Sequence, residues 1–112
     1  MDYNYTMEKR KSHYRLSEIQ AQMTSPERLR MTYSARTGIT ELDWSAWDAV
    51  RAVQGLSHEN FYKSMTSYAD AAIWQDVYYA RHLGIVLYVK FVRDRDGYFT
   101  ISFKRLSDVD ER

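Results

Sequence analysis

The sequence predicts an α+β domain in which short N-terminal helices pack on a twisted antiparallel β-sheet. Periodicity changes character near residue 57, reading helical before it and as strands after it. Four runs rich in β-branched and aromatic residues follow, at 61–68, 73–79, 85–93 and 98–105, and an antiparallel meander joins them most economically. The 112 residues are 45% apolar, enough for one core without disulfide or metal staples.

In "LSEIQ", Ser17 and Gln20 have the spacing of a capping box, so a short helix is expected from there to about Met23. Ser25 and Pro26 then break the chain. Leu29, Met31 and Tyr33 alternate with Arg28, Arg30 and Thr32, the period-2 pattern of a short strand. The next helix lies in "LDWSAWDAVRAVQG", with Asp43 as its cap and Leu42 stapled onto Trp47. Ala46, Trp47, Val50 and Val53 form its apolar stripe, which puts Trp47 in the core, and Gly55 supplies a left-handed stop.

Facing sets choose the turn of the last hairpin. Leu87, Val89 and Phe91 form one apolar face and Phe99, Ile101 and Phe103 another, and both must enter the same core. A two-residue Asp96-Gly97 turn would set them on opposite sides. A three-residue loop, Arg95-Asp96-Gly97, pairs Phe91 with Ile101 and Val89 with Phe103 if Gly97 is left-handed. Tyr88 then faces Lys104 on the side away from the core. A four-residue loop over residues 80–83 would add Gln75 opposite Tyr88, and Lys63 would join if the connection around Asp70 has an odd number of residues.

Composition excludes several classes. The absence of cysteine removes disulfides and thiolate zinc sites and suits a reducing cytoplasm. His13, His58 and His82 lack ligand spacing, so no metal site is expected. No apolar run approaches the roughly 20 residues of a membrane span, and "MDYNYTMEKRK" lacks the apolar middle of a signal peptide. A soluble, cytoplasmic protein is expected. Net charge is +1, but it divides into +3 over residues 1–36, −3 over 37–60, +3 over 61–106 and −2 over 107–112. Two basic blocks thus flank an acidic one, a distribution that permits a phosphate-binding face.

Lysines, a glutamine and a phenol on a rigid sheet offer positive charge and hydrogen-bond donors, the groups that grip a phosphodiester. They include no nucleophile with its base and no carboxylate pair, which disfavours triad or metal hydrolysis. RNA brings its own nucleophile, the 2′-hydroxyl, so positioning, charge and proton transfer would suffice to cleave it. Two neighbouring lysines would lower each other's pKa, the direction that such proton transfer needs. A plainer reading of the same residues stands beside this one. Lys63, Lys90 and Lys104 also suit the guarding of sheet edges, and Tyr88 opposite Lys104 also suits an ordinary cross-strand pair.

The stretch "GLSHENFYKSMTSYADAAIWQDVY" at 55–78 resembles the MqsR family, the motility quorum-sensing regulator toxins of bacterial toxin-antitoxin systems. The likeness extends to "LYVKF" at 87–91, "ISFKR" at 101–105 and "MEKRKSHYRLSE" at 7–18. It implies a RelE-like fold and a ribosome-independent, metal-independent endoribonuclease, an mRNA interferase cutting at GCU-type sequences, with no cofactor. By the same resemblance the catalytic residues are Lys63, Gln75, Tyr88 and Lys104; Arg81, Lys90 and Tyr68 are further candidates for contact with the RNA. The implied partners are mRNA and an MqsA-like antitoxin with a zinc-binding N-terminal part and a helix-turn-helix part, the zinc belonging to that partner. A non-catalytic protein that binds nucleic acid or an antitoxin is the competing expectation.

The chain departs from the family pattern in places. Residues 1–6 precede the matching start, and an acidic tail, 107–112, follows a single toxin domain at 7–106. Where family members can carry Arg-Pro-Arg after "DVY", this chain has Tyr79, Ala80 and Arg81.

Overall fold

The computed structural model describes residues 7–109. The expectations for the extension at 1–6 and for the last three residues of the tail lie outside the described residues. The strands are β1 (Glu8–Lys9), β2 (Phe61–Thr66), β3 (Trp74–His82), β4 (Ile85–Arg93) and β5 (Phe99–Arg105). They form one antiparallel sheet in the order β1-β2-β3-β4-β5. Three helices, α1 (Leu16–Gln22), α2 (Tyr33–Glu41) and α3 (Ala46–Gln54), complete the α+β arrangement, which is consistent with a RelE-like toxin fold.

One face of the sheet carries Tyr78, Ala80, Leu87, Val89, Phe91, Phe99, Ile101 and Phe103, all buried. Against it pack Leu16 and Ile19 of α1, Ala35 and Ile39 of α2, and Ala49, Val50, Ala52 and Val53 of α3. The β4–β5 hairpin has the expected register, Phe91 opposite Ile101, Val89 opposite Phe103 and Tyr88 opposite Lys104. Gly97 sits at φ 87°, and the Asp94 N–H donates to the Tyr98 carbonyl at 2.8 Å, closing the three-residue loop.

The helical half departs from the reading in four ways. First, α1 begins at Leu16, so Ser17 lies inside it and caps nothing. Gln20 instead donates to the carbonyls of Val53 at 3.1 Å and Leu56 at 3.0 Å, satisfying the open end of α3. Second, the strand expected at 29–33 reduces to an isolated parallel bridge between Met31 and Ile101. Thr32 then caps α2 by accepting from the Ala35 N–H at 3.2 Å, and Tyr33 is 86% exposed. Third, α3 is capped by Ser45, whose N–H donates to Asp48 Oδ2 at 2.9 Å, because Asp43 is spent on a left-handed turn at φ 58°. That turn directs Trp44 into the core against His82, ring centroids 5.1 Å apart, while Trp47 is 47% exposed under Arg51. Trp47 is therefore not a core residue. Fourth, Gly55 ends α3 in the right-handed region, φ −80°, rather than the left-handed one.

Backbone pairing at residues 30–32 covers the outer edge of β5, with the Ile101 N–H donating to the Arg30 carbonyl at 2.9 Å. It also delivers α2 to that edge. Gly38 permits the close approach, since a Cβ there would stand 3.2 Å from Phe103 Cε2.

Candidate active site

The sheet face away from the core follows from strand pairing, because directly opposed residues share a face. Lys63 lies opposite Val77, Val77 opposite Lys90, and Lys90 opposite Ser102, so two lysines share one rung. The adjoining rung runs Tyr79, Tyr88, Lys104. On the other side of the lysine rung, Met65 lies opposite Gln75. Lys63 reaches this face because the connection between Thr66 and Trp74, residues 67–73, is odd in length. A bulge between Phe61 and Lys63 then adds Tyr62 to the same surface, where its ring stacks on Tyr79.

Lys63, Gln75, Tyr88 and Lys104 therefore share one face, but they do not form one row. Gln75 does not oppose Tyr88. Strand β3 runs on through Arg81 and His82 to a two-residue turn at Leu83 and Gly84, φ 50° and 77°, which gives Tyr79 the place opposite Tyr88. Gln75 lies four residues further along, about 13 Å at a strand rise of 3.3 Å. The four-residue loop expected over residues 80–83 fails because Arg81 and His82 are strand residues. Arg81 is paired with Val86, and the ring of His82 meets Asp48 Oδ1 at 3.1 Å.

The polar groups have distinct environments. Tyr88 and Lys63 are 6% and 7% exposed, and Lys104 lies open to solvent. The Lys63 ammonium donates to Glu8 Oε2 at 2.7 Å, an ion pair with one buried and one half-exposed partner. Lys90 is half-buried. Burial lowers its pKa from the usual lysine range, and the positive charge of Lys104 lowers it further. Arg81 is exposed on the same face, and Tyr68 is 73% exposed in the β2–β3 connection.

A cleft of about 250 Å³ opens where α2 overhangs β4 and β5. Tyr88, Lys90, Ser102 and Lys104 line its sheet side, and Ser34 and Glu41 line its helix side. Lys63 and Gln75 lie outside that lining, further across the sheet. Among the described residues, no group of three or more His, Cys, Asp or Glu is placed to hold a metal ion. Nor is any helix among them long and apolar enough to cross a membrane.

Sequence reasoning missed Glu8, Tyr62, Tyr79 and Glu41. A two-residue strand carries no periodicity that would announce Glu8, and Tyr62 reaches the face only through a bulge. Glu41 arrives on a helix that no periodicity announces, since α2 buries only Ala35 and Ile39.

The arrangement can grip a polyanion, with Lys63 and Lys104 at opposite sides of the face, Lys90 between them, and a phenol beside the exposed lysine. Two comparisons bear on what it serves. The family model described as "Motility quorum-sensing regulator, toxin of MqsA" matches residues 11–105. The "mRNA interferase toxin MqsR" of Escherichia coli (strain K12) is 39% identical over 98 residues, spanning 88% of this chain and 98% of that protein. With the match running from ahead of α1 to the end of β5, the chain belongs to the family of motility quorum-sensing regulator toxins.

Proposed function

We propose that this protein is an endoribonuclease toxin, an mRNA interferase, that cleaves single-stranded mRNA across the face bearing Lys63, Lys90, Tyr88 and Lys104. The observation that carries the reading is the direct pairing of Tyr88 with Lys104 beside the half-buried Lys90, at the mouth of the α2 cleft. A phosphodiester bound at that mouth would meet a phenol and two ammonium groups together. The likeness to the E. coli interferase supports the same activity.

In the proposed reaction the RNA 2′-oxygen attacks the adjacent phosphorus, forming the O2′–P bond as the P–O5′ bond breaks. The 2′-hydroxyl loses a proton and the departing 5′-oxygen takes one up, leaving a 2′,3′-cyclic phosphate and a 5′-hydroxyl. Lys90 and Lys104 neutralise charge on the phosphate, Tyr88 assists proton transfer, and Gln75 orients the chain by hydrogen bonding. Lys63 and Arg81 hold flanking phosphates, and Tyr68 meets the RNA beyond the Gln75 end. No metal takes part in this scheme. GCU-type cleavage and neutralisation by an MqsA-like, zinc-binding, helix-turn-helix antitoxin are the corresponding family expectations, and a target in mRNA places the action in the bacterial cytoplasm.

The test is cleavage of a naked, GCU-containing transcript in EDTA, with the ends mapped. Wild-type protein should leave cyclic-phosphate ends near GCU, and folded Lys104→Ala should be nearly inert. Dependence on divalent metal would overturn the metal-free scheme. Binding with steep salt dependence but no cleavage would support the non-catalytic alternative.

A further inference from the structure

The catalytic scheme uses Tyr88 but leaves the two tyrosines packed beside it on the same face unexplained. Tyr62 and Tyr79 stack with ring centroids 4.8 Å apart and planes 24° from parallel. Tyr88 completes the group, 6.2 Å from Tyr79 and 6.4 Å from Tyr62. These rings lie away from the core, and Tyr62 and Tyr79 are half-buried, so each retains surface toward solvent. Cations surround them. The Arg10 guanidinium lies 5.3 Å from the Tyr62 ring centre and the Lys63 ammonium 5.1 Å from it.

A sheet that met only water would gain little from three rings side by side on its polar face, beyond the modest worth of a cross-strand pair. Nucleobases change that account. Every unpaired base has an apolar ring face, and proteins that bind single strands offer aromatic rings on sheet surfaces beside cations that track the backbone. Spacing fits the combination. Tyr79 sits one rung, about 6.6 Å along the strand, from the level of Lys63 and Lys90. A phosphate held by the lysines would therefore set an adjoining base over the tyrosines.

We infer that Tyr62 and Tyr79, backed by the buried Tyr88, form a stacking platform for one unpaired nucleobase next to the cleaved phosphate, with Tyr79 at its centre. This inference rests on the RNA-cleaving reading and specifies how that face holds its substrate. A stacked base is recognised by its flat face, so the platform contributes affinity and placement for single-stranded RNA and excludes a base locked in a duplex. Tyr79 is a positioning residue in this scheme, because it touches the base and not the reacting atoms.

The experiment measures binding of a short single-stranded oligoribonucleotide blocked at the cleavage site by a 2′-O-methyl group. An abasic residue is placed at each position in turn, and wild-type, Tyr79→Leu and Tyr79→Phe proteins are compared. With wild-type protein, one position next to the cleavage site should lose about tenfold in affinity. Tyr79→Leu should lose a similar factor on the intact oligonucleotide but nothing further on the oligonucleotide abasic at that position, and Tyr79→Phe should restore binding. On the unblocked RNA the Tyr79→Leu loss should fall on KM more than on kcat.

An equal Tyr79→Leu penalty on every abasic oligonucleotide would reduce the cluster to a sheet-stabilising role and overturn the inference. So would a wild-type scan with no sensitive position, which holds even if Tyr79→Leu does not fold. Wild-type protein that neither binds nor cuts any RNA would instead defeat the underlying functional reading.

Discussion

The Lys63 ammonium and the Glu8 carboxylate meet at 2.7 Å, joining the edge strand β1 to one side of the candidate face. The pair is asymmetric, since the lysine side chain is 9% exposed and the carboxylate 43%. Burial makes the lysine dependent on its partner, while water already serves much of the carboxylate. Glu8→Gln should therefore cost about 1 kcal/mol of stability, below the 3–5 kcal/mol of a fully buried broken pair. It should also tighten RNA binding about threefold, because it removes a negative charge beside the candidate face, where a charge pair in a water-like dielectric is worth up to about 1 kcal/mol. Urea unfolding and fluorescence titration would read the two effects, which should have opposite signs.

Gln75 and Lys104 should behave differently when truncated, because the sheet register separates them. Gln75 lies about 13 Å along β3 from the rung that holds Tyr88 and Lys104, too far to share one phosphate with them. It would hold a neighbouring nucleotide. Gln75→Ala should lower kcat/KM about tenfold, mostly through KM, and Lys104→Ala at least about a hundredfold, mostly through kcat. Single-turnover kinetics on a defined transcript would separate the two. Equal losses in kcat would place Gln75 at the reacting atoms after all.

This contrast reflects what the residues made legible. Alternation and one left-handed glycine sufficed for the β4–β5 hairpin, because two apolar faces had to meet the same core. At the β3–β4 turn, Arg81 and His82 looked like loop residues, and Leu83 gave no warning of a positive φ. The sequence does not say that Asp48 on α3 receives His82. Helix α2 was hidden for a related reason. Its sequence, "YSARTGITE", buries only Ala35 and Ile39, so packing on β5 sustains it rather than any strong amphipathic pattern. The chemical character of the face was thus readable, and its distances were not.

Lys90 should make stability depend on alkaline pH. Burial, and then Lys104, lowers its folded pKa below the 10.5 of a free lysine, so the unfolded chain holds that proton more tightly. The folded state therefore bears a penalty at neutral pH, where Lys90 is charged in both states. That penalty is relieved as pH rises through the folded pKa toward 10.5. Lys90→Met should be more stable than wild type at pH 7, with the gap closing as pH approaches 10.5. Its RNA affinity should nonetheless fall, with a salt dependence shallower by about one counterion. Paired urea melts at pH 7 and pH 10 would reveal a gap that fails to close, which would remove Lys90's titration as the cause.

Tyr78 is fully buried on the core face, between Phe61 and Phe91, and its hydroxyl has no hydrogen-bond partner among the described residues. An unsatisfied buried hydroxyl costs about 1–3 kcal/mol, whereas the ring contributes packing that phenylalanine would keep. Tyr78→Phe should therefore match or exceed wild-type stability, by up to about 1 kcal/mol. Burial also pushes the Tyr78 pKa up from 10.0 to about 12, with the charge of Asp76 adding to the effect. A group raised in the fold contributes stability below its unfolded pKa and loses it as pH climbs through the folded value. Wild-type protein should accordingly lose stability between pH 10 and about 12, and Tyr78→Phe should lose less over the same window. A clear destabilisation at pH 7 would mean that the hydroxyl is satisfied in solution.

Asp76 anchors the N-terminal segment from within the sheet. Fully buried, it accepts from the His13 N–H at 3.0 Å and from the Tyr14 N–H at 2.8 Å. The Tyr14 hydroxyl donates to the Trp74 carbonyl at 2.8 Å, two residues away on β3. Those bonds fix the chain between β1 and α1, and so help to hold Glu8 and Arg10 over the candidate face. Asp76→Asn keeps the shape but replaces charge-assisted bonds by neutral ones and turns an amide N–H₂ toward two backbone donors. A loss of about 2–3 kcal/mol is expected. Hydrogen exchange gives the discriminating readout, since β1 and residues 10–14 should lose protection before β4 and β5 do. Protection lost evenly across the sheet would show that Asp76 supports the core as a whole and not the N-terminal clasp.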